Sequence, residues 1–351
     1  MGKGIAPPLL KPFVSAASEP SKPKSAILVY NPVGGKKKAL KLAETIVLPM
    51  LEAAGIQVER QPTLHAGHAQ ELGKTLSLEG IDALIVMGGD GTLSDLLNGF
   101  LSREDKAADQ GSCRLGFIPA GTGNTYLREV LGTKTAAGCE SGVRAAVQAI
   151  IDGRSRRVDC QQLDMQRTPD GEPMSMVSIN TVMAGFGPTA TAVAERRRWL
   201  GPMRYDISIK TEIVKLPCRK PLPSKLTIDD GKVEELEDLF LFSSFVNKHT
   251  GTHHRLAPYA QLDDGKLDAC YTNKPLRSVA FAAKIDGLIK SGGKHVHEPI
   301  CSIKQCTKMK LETEKPAQLM VDGDLVGFTP LTVTVRPGAF ALFTPVDPTG
   351  S

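Results

Sequence analysis

The sequence predicts a Rossmann-like α/β domain followed by a β-rich domain, and three observations carry that prediction. Up to about residue 155, short apolar runs alternate with helical patterns, which implies parallel strands joined by right-handed crossovers. From Arg156 onward the pattern changes to strand, turn, strand, with two helical stretches near 189–215 and 277–290. Gly-rich turns directly follow three of the early apolar runs, at the strand ends where open α/β sheets hold ligands.

The first strand is "AILVYN" (26–31), and a helix runs from Lys36 to about Ala54. "IQVERQ" (56–61) leads to a helix from Gly67 to Leu78, and "DALIVM" (82–87) feeds a helix from Thr92 to Leu101. "RLGFIP" (114–119) is the fourth strand, with two more helical stretches up to Asp152. In the second half the candidates are "RRVDCQQLDMQR", "MSMVSINTVMAG", "SKLTID", "LFLFSSFVN", "LDACYT", "TKMKLET", "AQLMVDG", "LTVTVR" and "AFALFTP". Antiparallel pairing fits so many short strands. The chain then divides into a Pro/Ser/Lys-rich leader expected to be disordered (1–24), the α/β domain (25–155), the β-rich domain (156–336) and a terminal segment (337–351) able to return to the first domain.

The 351 residues suit two domains, and 41% hydrophobic with 23% charged residues is an ordinary globular balance. Aromatic residues make up 5% of the chain, too few for a single-strand nucleic-acid stacking surface. The net charge of +5 favours phosphates or anionic lipid without indicating DNA. Seven cysteines, with no CxxC among them, fit a reduced, cytoplasmic setting. Ala6 stands where an N-myristoylation signal has Ser or Thr. The longest apolar runs are too short to span a bilayer, so membrane contact is expected to be peripheral.

In "VMGGDGTLSDLLNGF" (86–100), Gly88, Gly89 and Gly91 flank Asp90 just before a helix. Main chain bared in this way lets a phosphate lie against free N–H groups and the positive end of the helix dipole. An Asx-type turn is the plain alternative; the position between strand and helix favours the phosphate. "GFIPAGTGNTYLREV" repeats the arrangement with Gly121, Thr122 and Gly123, and "NPVGGKKK" adds Asn31, Gly34 and Gly35. Neither a P-loop nor a full GxGxxG is present, and no H-R-D kinase loop occurs.

"GGDGT", "PAGTGN", "LAPYAQLDDGKLD" (256–268) and "VDGD" (321–324), in that order, resemble the motifs of the diacylglycerol kinase and sphingosine kinase superfamily. "ERRRWLGPMRYD" (195–206) and "NKHTGTHHRLAP" (247–258) are similar to segments of sphingoid-base and ceramide kinases. The resemblance covers residues 25 to about 345. It implies an α/β domain and a β-sandwich with ATP between them, and transfer of the γ-phosphate to a lipid hydroxyl. The acceptor expected is a sphingoid long-chain base, with diacylglycerol close behind.

Carried over by motif, the nucleotide site comprises Gly88, Gly89, Asp90, Gly91, Thr92, Leu93 and Ser94, with Asn31, Thr63, Gly121, Thr122 and Gly123. Gln261, Asp264 and Lys266 match the positions that hold magnesium in bacterial relatives. Asp324 matches their proton acceptor, whereas sphingosine kinases assign that role to the position of Asp90. Phosphoryl transfer needs positioning, charge neutralisation by Mg²⁺ and a base, and Arg198 and Arg204 are candidates to stabilise the transferring group. Asp95 and Asp324 stand where the family often has Glu, an arm shorter by roughly 1.5 Å. Trp199 and Leu200 beside three arginines suit either an anionic membrane or a core. NAD kinase, which shares GGDGT, and a binding protein without turnover are the competing expectations.

Overall fold

The computed structural model describes residues 20–33, 39–105, 107–121, 123–132, 138–201, 203–250 and 254–345. Most of the leader, Gly34, Gly35, Thr122, His253 and the last six residues lie outside them. In the first half, β1 (Ser25–Tyr30) precedes a π-helical turn, α1 (Ala43–Val47), which continues into α2 (Leu48–Ala53). Then come β2 (Gln57–Pro62), α3 (His68–Thr75), β3 (Ala83–Gly88), α4 (Asp90–Leu101), α5 (Ala107–Gln110), β4 (Arg114–Pro119), α6 (Thr125–Leu131) and α7 (Glu140–Asp152). β4, β3, β1 and β2 pair in that order and in parallel.

β1, β3 and β4 are apolar because helices cover both faces of the sheet, whereas the edge strand β2 is polar and has no buried position. β3 is buried at all six positions. One face packs on α3, α4 and α6 through residues such as Leu84, Val86, Leu96 and Phe100. The other packs on α1, α2 and α7 through Leu28, Ile85, Val47 and Val147. Leu93, Leu96, Leu97 and Phe100 of α4 are at most 1% exposed, and burial of each contributes roughly 1.5–3 kcal/mol. α3 and α4 cross at Gly73 and Gly99, where an added Cβ would meet the partner helix's backbone at 2.3 and 2.0 Å.

The second half comprises β5 (Ser155–Gln166), β6 (Pro173–Ser178), β7 (Thr181–Gly185), α8 (Phe186–Glu195), a 3₁₀ turn (Arg198–Leu200), α9 (Met203–Val214), β8 (Ser224–Ile228), β9 (Glu234–Leu236) and β10 (Leu241–Phe245). β11 (Leu267–Thr272), α10 (Val279–Lys290), β12 (Cys301–Cys306), β13 (Lys308–Thr313), β14 (Gln318–Val321) and β15 (Asp324–Phe343) complete it. β12, β11, β10, β7, β14 and β15 form an antiparallel run. β5, β6, β8, β9 and β13 pair off this path. One apolar layer lies among the strands. Another lies beneath α8, α9 and α10.

The fold class is the one the sequence predicts, with differences in detail. "MSMVSINTVMAG" is two strands broken at Ile179 and Asn180, whose backbone serves another purpose described below. "LTVTVR" and "AFALFTP" belong to one long strand, β15. The polar "CSIKQC" escaped reading as a strand because β12 is an edge with few buried positions. β15 pairs along its length with β5 and meets β4 in parallel at Leu342 and Leu115. One hydrogen-bonded network therefore runs through both halves.

Candidate active site

The carboxyl ends of β1, β2, β3 and β4 are laced together by backbone hydrogen bonds. Asn31 N–H donates to Met87 C=O at 3.3 Å and Thr63 N–H to Tyr30 C=O at 2.9 Å. Ala120 and Gly121 N–H share the Gly88 carbonyl at 2.8 and 3.1 Å. Asn31, Thr63, Gly88, Gly89, Asp90, Gly121 and Gly123 thus gather along one sheet edge. The Asn31 side chain itself accepts from Val33 N–H at 3.1 Å, closing a local turn.

The glycines at this edge serve different ends. A Cβ on Gly88 would strike the Thr92 side chain at 2.7 Å, and one on Gly121 would meet the Gly89 Cα at 2.5 Å. Gly88 is bare to leave room for Thr92 of its own loop, and Gly121 so that the two Gly-rich loops can stack main chain on main chain. Gly91 is different: it is exposed, with nothing within 4 Å of its would-be Cβ. Beside it start α4 and its unpaired N–H groups, the surface a phosphate would use.

Asp90 holds the two loops together. Its carboxylate accepts Thr125 N–H at 2.8 Å and Tyr126 N–H at 3.3 Å, capping α6 from a neighbouring loop. Burial raises its pKa, while these N–H groups act in the opposite sense.

Ser94, Asp95 and Asn98 face the second half of the chain. Ser94 Oγ donates to Asp322 at 3.3 Å. One helical turn later, Asn98 both donates to Val177 C=O at 3.1 Å and accepts Val177 N–H at 2.8 Å. Asp95 is half-buried; its pKa is raised by burial and then by the charge of Asp324, which starts β15. Two carboxylates from opposite halves therefore share one field at the first turns of α4.

Asp322, the first acid of "VDGD", is the most heavily bonded carboxylate at this junction. Its carboxylate accepts the Ser178 hydroxyl at 2.6 Å and the N–H groups of Ile179, Asn180 and Thr181 at 3.2, 3.0 and 3.1 Å, besides Ser94. Enclosure pushes its pKa up, opposed by those donors. The break between β6 and β7 is where the chain turns its amides toward this group. The only sequence signal was the first acid of "VDGD".

A further contact joins the halves at α6. Glu129 pairs with Lys248 at 3.1 Å and with His249 Nδ1 at 3.0 Å. Burial alone would raise its carboxyl, but the His249 bond and the Lys248 charge hold it below the usual range.

Arg204 does not join the loops. Its guanidinium pairs with Glu195 at 3.1 Å, donates to the Tyr205 hydroxyl at 3.0 Å and lies over the Tyr205 ring. It braces α8 against α9. His254 lies 3.6 Å from Asp286 of α10.

Gln261, Asp264 and Lys266 lie on a loop wrapped around Asp159 of β5. Asp159 accepts Gly265 N–H and Gly338 N–H, both at 2.7 Å, and Asp264 accepts Lys266 N–H at 3.0 Å. Burial lifts the pKa of Asp159 to about 6 and that of Asp268 to about 7, with Asp264 adding to both. Asp268 has one carboxylate oxygen buried without a partner. Acidic oxygens short of counter-charge are the donor set that a hard divalent cation takes, so the loop's chemistry fits magnesium. Among the described residues, the one trio of converging side chains is His65, His68 and Glu71. There His68 Nδ1 is committed to Leu64 N–H at 3.0 Å, which leaves the trio short of a ligand set.

An apolar layer leads away from Asp324. Leu325, Met320 and Met183 pack with Phe186, Phe240, Ile213 and Leu216 beneath α8 and α9. A cavity of about 320 Å³ opens beside Phe186, Thr189, Leu216 and Cys218, with Glu212, Lys215 and Arg219 around it. On the outer side Trp199, Met203 and Val214 are 82%, 67% and 68% exposed. Among the described residues, no helix is long and apolar enough to cross a membrane.

Comparison with known proteins gives the same picture for both halves. Residues 25–163 match the diacylglycerol kinase catalytic domain, and residues 180–344 match the YegS C-terminal NAD kinase beta sandwich-like domain. The chain is 27% identical to sphingosine kinase 1 of Arabidopsis thaliana, over 92% of this chain and 76% of that protein. It is also 27% identical to a diacylglycerol kinase of Staphylococcus saprophyticus, over 92% and 96%. A solved diacylglycerol kinase structure from Bacillus anthracis superposes with a TM-score of 0.69 at 21% identity, covering 93% of this chain and 99% of that one. At that identity the superposition speaks for the fold.

Proposed function

The chain belongs to the diacylglycerol kinase and sphingosine kinase superfamily, and on that premise we propose that it transfers the γ-phosphate of ATP to a lipid hydroxyl, a sphingoid long-chain base ahead of diacylglycerol. The observation that carries this reading is the exposed, open backbone of Gly91 at the start of α4, with Asp95 one turn on and within the field of Asp324. Phosphates bind along the amides of Gly89 to Thr92, with Asn31, Thr63 and the loop from Gly121 to Gly123 closing the site.

Asp324 is the base that takes the acceptor's proton. Both oxygens of Asp90 are engaged in capping α6, which favours Asp324 for that role. Asp264, with Gln261 and Lys266 beside it, would hold a structural Mg²⁺, whose charge would neutralise the acidic loop. A second divalent ion travelling with ATP would supply charge neutralisation at the phosphates, and Asp95 is placed to meet it.

The apolar layer behind Leu325 supports a lipid acceptor: a hydroxyl at Asp324 leaves its hydrocarbon chain running toward Phe186 and Leu216. The cavity there is at the low end of the ~300–1,000 Å³ typical of ligand sites. Trp199, Met203 and Val214, with the exposed Arg196, Lys210 and Lys215 nearby, form the face that meets an anionic membrane. The deciding experiment incubates the protein with labelled ATP, Mg²⁺ and a panel of sphingoid bases, ceramide, diacylglycerol and NAD, with products resolved by mass. A phosphorylated lipid supports the reading; phosphorylated NAD, or no product at all, defeats it.

A further inference from the structure

We propose that Asp322 is a positioning residue for the transfer, a pin that registers α4 against the turn bearing Asp324. The inference rests on the lipid-kinase reading above and adds a residue that touches neither ATP nor lipid. Asp322 sits at the hairpin between β14 and β15 with φ of +50°, and its carboxylate is bonded to both halves of the chain. Its five partners are neutral donors from three places: Ser94 on α4, Ser178 at the end of β6, and the backbone of Ile179 to Thr181 entering β7. An ionised carboxylate only accepts, which is what converging donors demand; an amide would set its own NH₂ against an N–H.

The pin is buttressed from behind. Gln161 Nε2 donates to Ser178 Oγ at 3.2 Å and to Asn180 C=O at 3.3 Å, and Ser244 Oγ holds Gln161 Oε1 at 2.6 Å. The two-way bond between Asn98 and Val177 provides a second strut on the same face of α4. Ser94 precedes Asp95, and Asp322 lies two residues before Asp324. Locking the first pair together therefore sets the spacing of the second. A displacement of about 1 Å at a reacting group costs about 10²-fold in rate.

The test combines two readouts on Asp322→Asn, Ser94→Ala and Ser94→Thr. The first is kinetic, with kcat and the ATP KM measured separately. The second is the distance distribution between spin labels on the exposed Cys139 and Cys218, one in each half, with the half-buried Cys301 replaced by Ser. Asp322→Asn is expected to lower kcat about 10²-fold with the ATP KM changed less than about threefold, and to broaden the distribution. Ser94→Ala shows the same pattern more weakly, and Ser94→Thr, which keeps the hydroxyl, restores it. A raised ATP KM at unchanged kcat in Ser94→Ala would overturn the proposal, because that hydroxyl would then be a nucleotide contact. If the wild type phosphorylates no lipid, the functional reading fails while the distances still decide: an unaltered distribution in both Asp322→Asn and Ser94→Ala overturns the pin. Should Asp322→Asn not fold, the two Ser94 variants carry the test.

Discussion

The carboxylate of Asp90 receives the backbone N–H of Thr125 at 2.8 Å, so the acid of one Gly-rich loop caps the helix begun by the other. Asp90→Ala is predicted to lower stability by about 1 kcal/mol, the usual cost of a lost cap. It should also raise the ATP KM more than it lowers kcat. Asp90→Asn, which keeps one acceptor, falls between. Thermal denaturation and ATP titrations measure both effects. A loss in kcat on the order of 10³ at unchanged melting temperature and KM would instead make Asp90 the base.

Asp324 is exposed at the start of β15, so its replacement should leave stability within about 0.5 kcal/mol. Asp324→Asn is expected to reduce kcat by about 10²–10⁴-fold, the range for removal of a general base. Asp324→Glu reaches roughly 1.5 Å further and should retain activity. Steady-state kinetics beside urea unfolding separate the outcomes, and full activity of Asp324→Asn would exclude the assignment.

His295 is fully buried, and burial lowers its pKa from 6.5 to about 4. The unfolded chain then binds a proton more readily than the folded one at intermediate pH. The stability contributed by the neutral ring is complete above pH ~6.5 and is lost as pH falls toward 4. At 1.36 kcal/mol per pKa unit the loss is about 3 kcal/mol. Asp159 and Asp268, raised to about 6 and 7, act in the opposite sense over this range, so the His295 contribution is read as the difference in urea unfolding between wild type and His295→Gln, which should narrow as pH falls from 7.5 to 4.5.

Removal of divalent cations is predicted to act on the acidic loop around Asp159, Asp264 and Asp268. Mg²⁺ should raise the wild-type melting temperature, since a ligand at 100 times its Kd contributes about 2.7 kcal/mol. Asp264→Ala should abolish that increment. An equal shift in wild type and variant would place the ion elsewhere.

Trp199 is the single tryptophan of the chain and is 82% exposed, so its fluorescence reports on its own surroundings. Vesicles rich in anionic lipid should shift its emission to the blue, and neutral vesicles should not. The double substitution Trp199→Ala with Met203→Ala should reduce vesicle sedimentation without altering ATP binding. Emission unchanged by anionic vesicles would remove this face from membrane contact.

Much of the fold was legible because its signals are local. β3 reads as a buried parallel strand, and α4 shows its apolar stripe at Leu93, Leu96, Leu97 and Phe100. The positions of the Gly-rich turns were legible for the same reason: they follow strands and precede helices. What escaped notice depends on contacts remote in sequence. Asp322 binds Ser94 across 228 positions, and nothing in "VDGD" says which of its acids turns inward. Gly88 and Gly121 look like phosphate glycines in the sequence, yet their space is taken by Thr92 and Gly89. Arg204 sits in a motif shared with sphingoid-base kinases but is bound to Glu195 and Tyr205.

β15 serves both halves, and that has a consequence for how the protein is made. On the ribosome, β4 emerges long before the stretch around Leu342 that flanks it. Until then the nascent sheet carries an unpaired apolar border, the kind of edge that invites pairing with other chains. The sheet of the first half gains this neighbour of β4 only when the last strand arrives, so truncation before Leu342 should leave that border open to pairing with other chains.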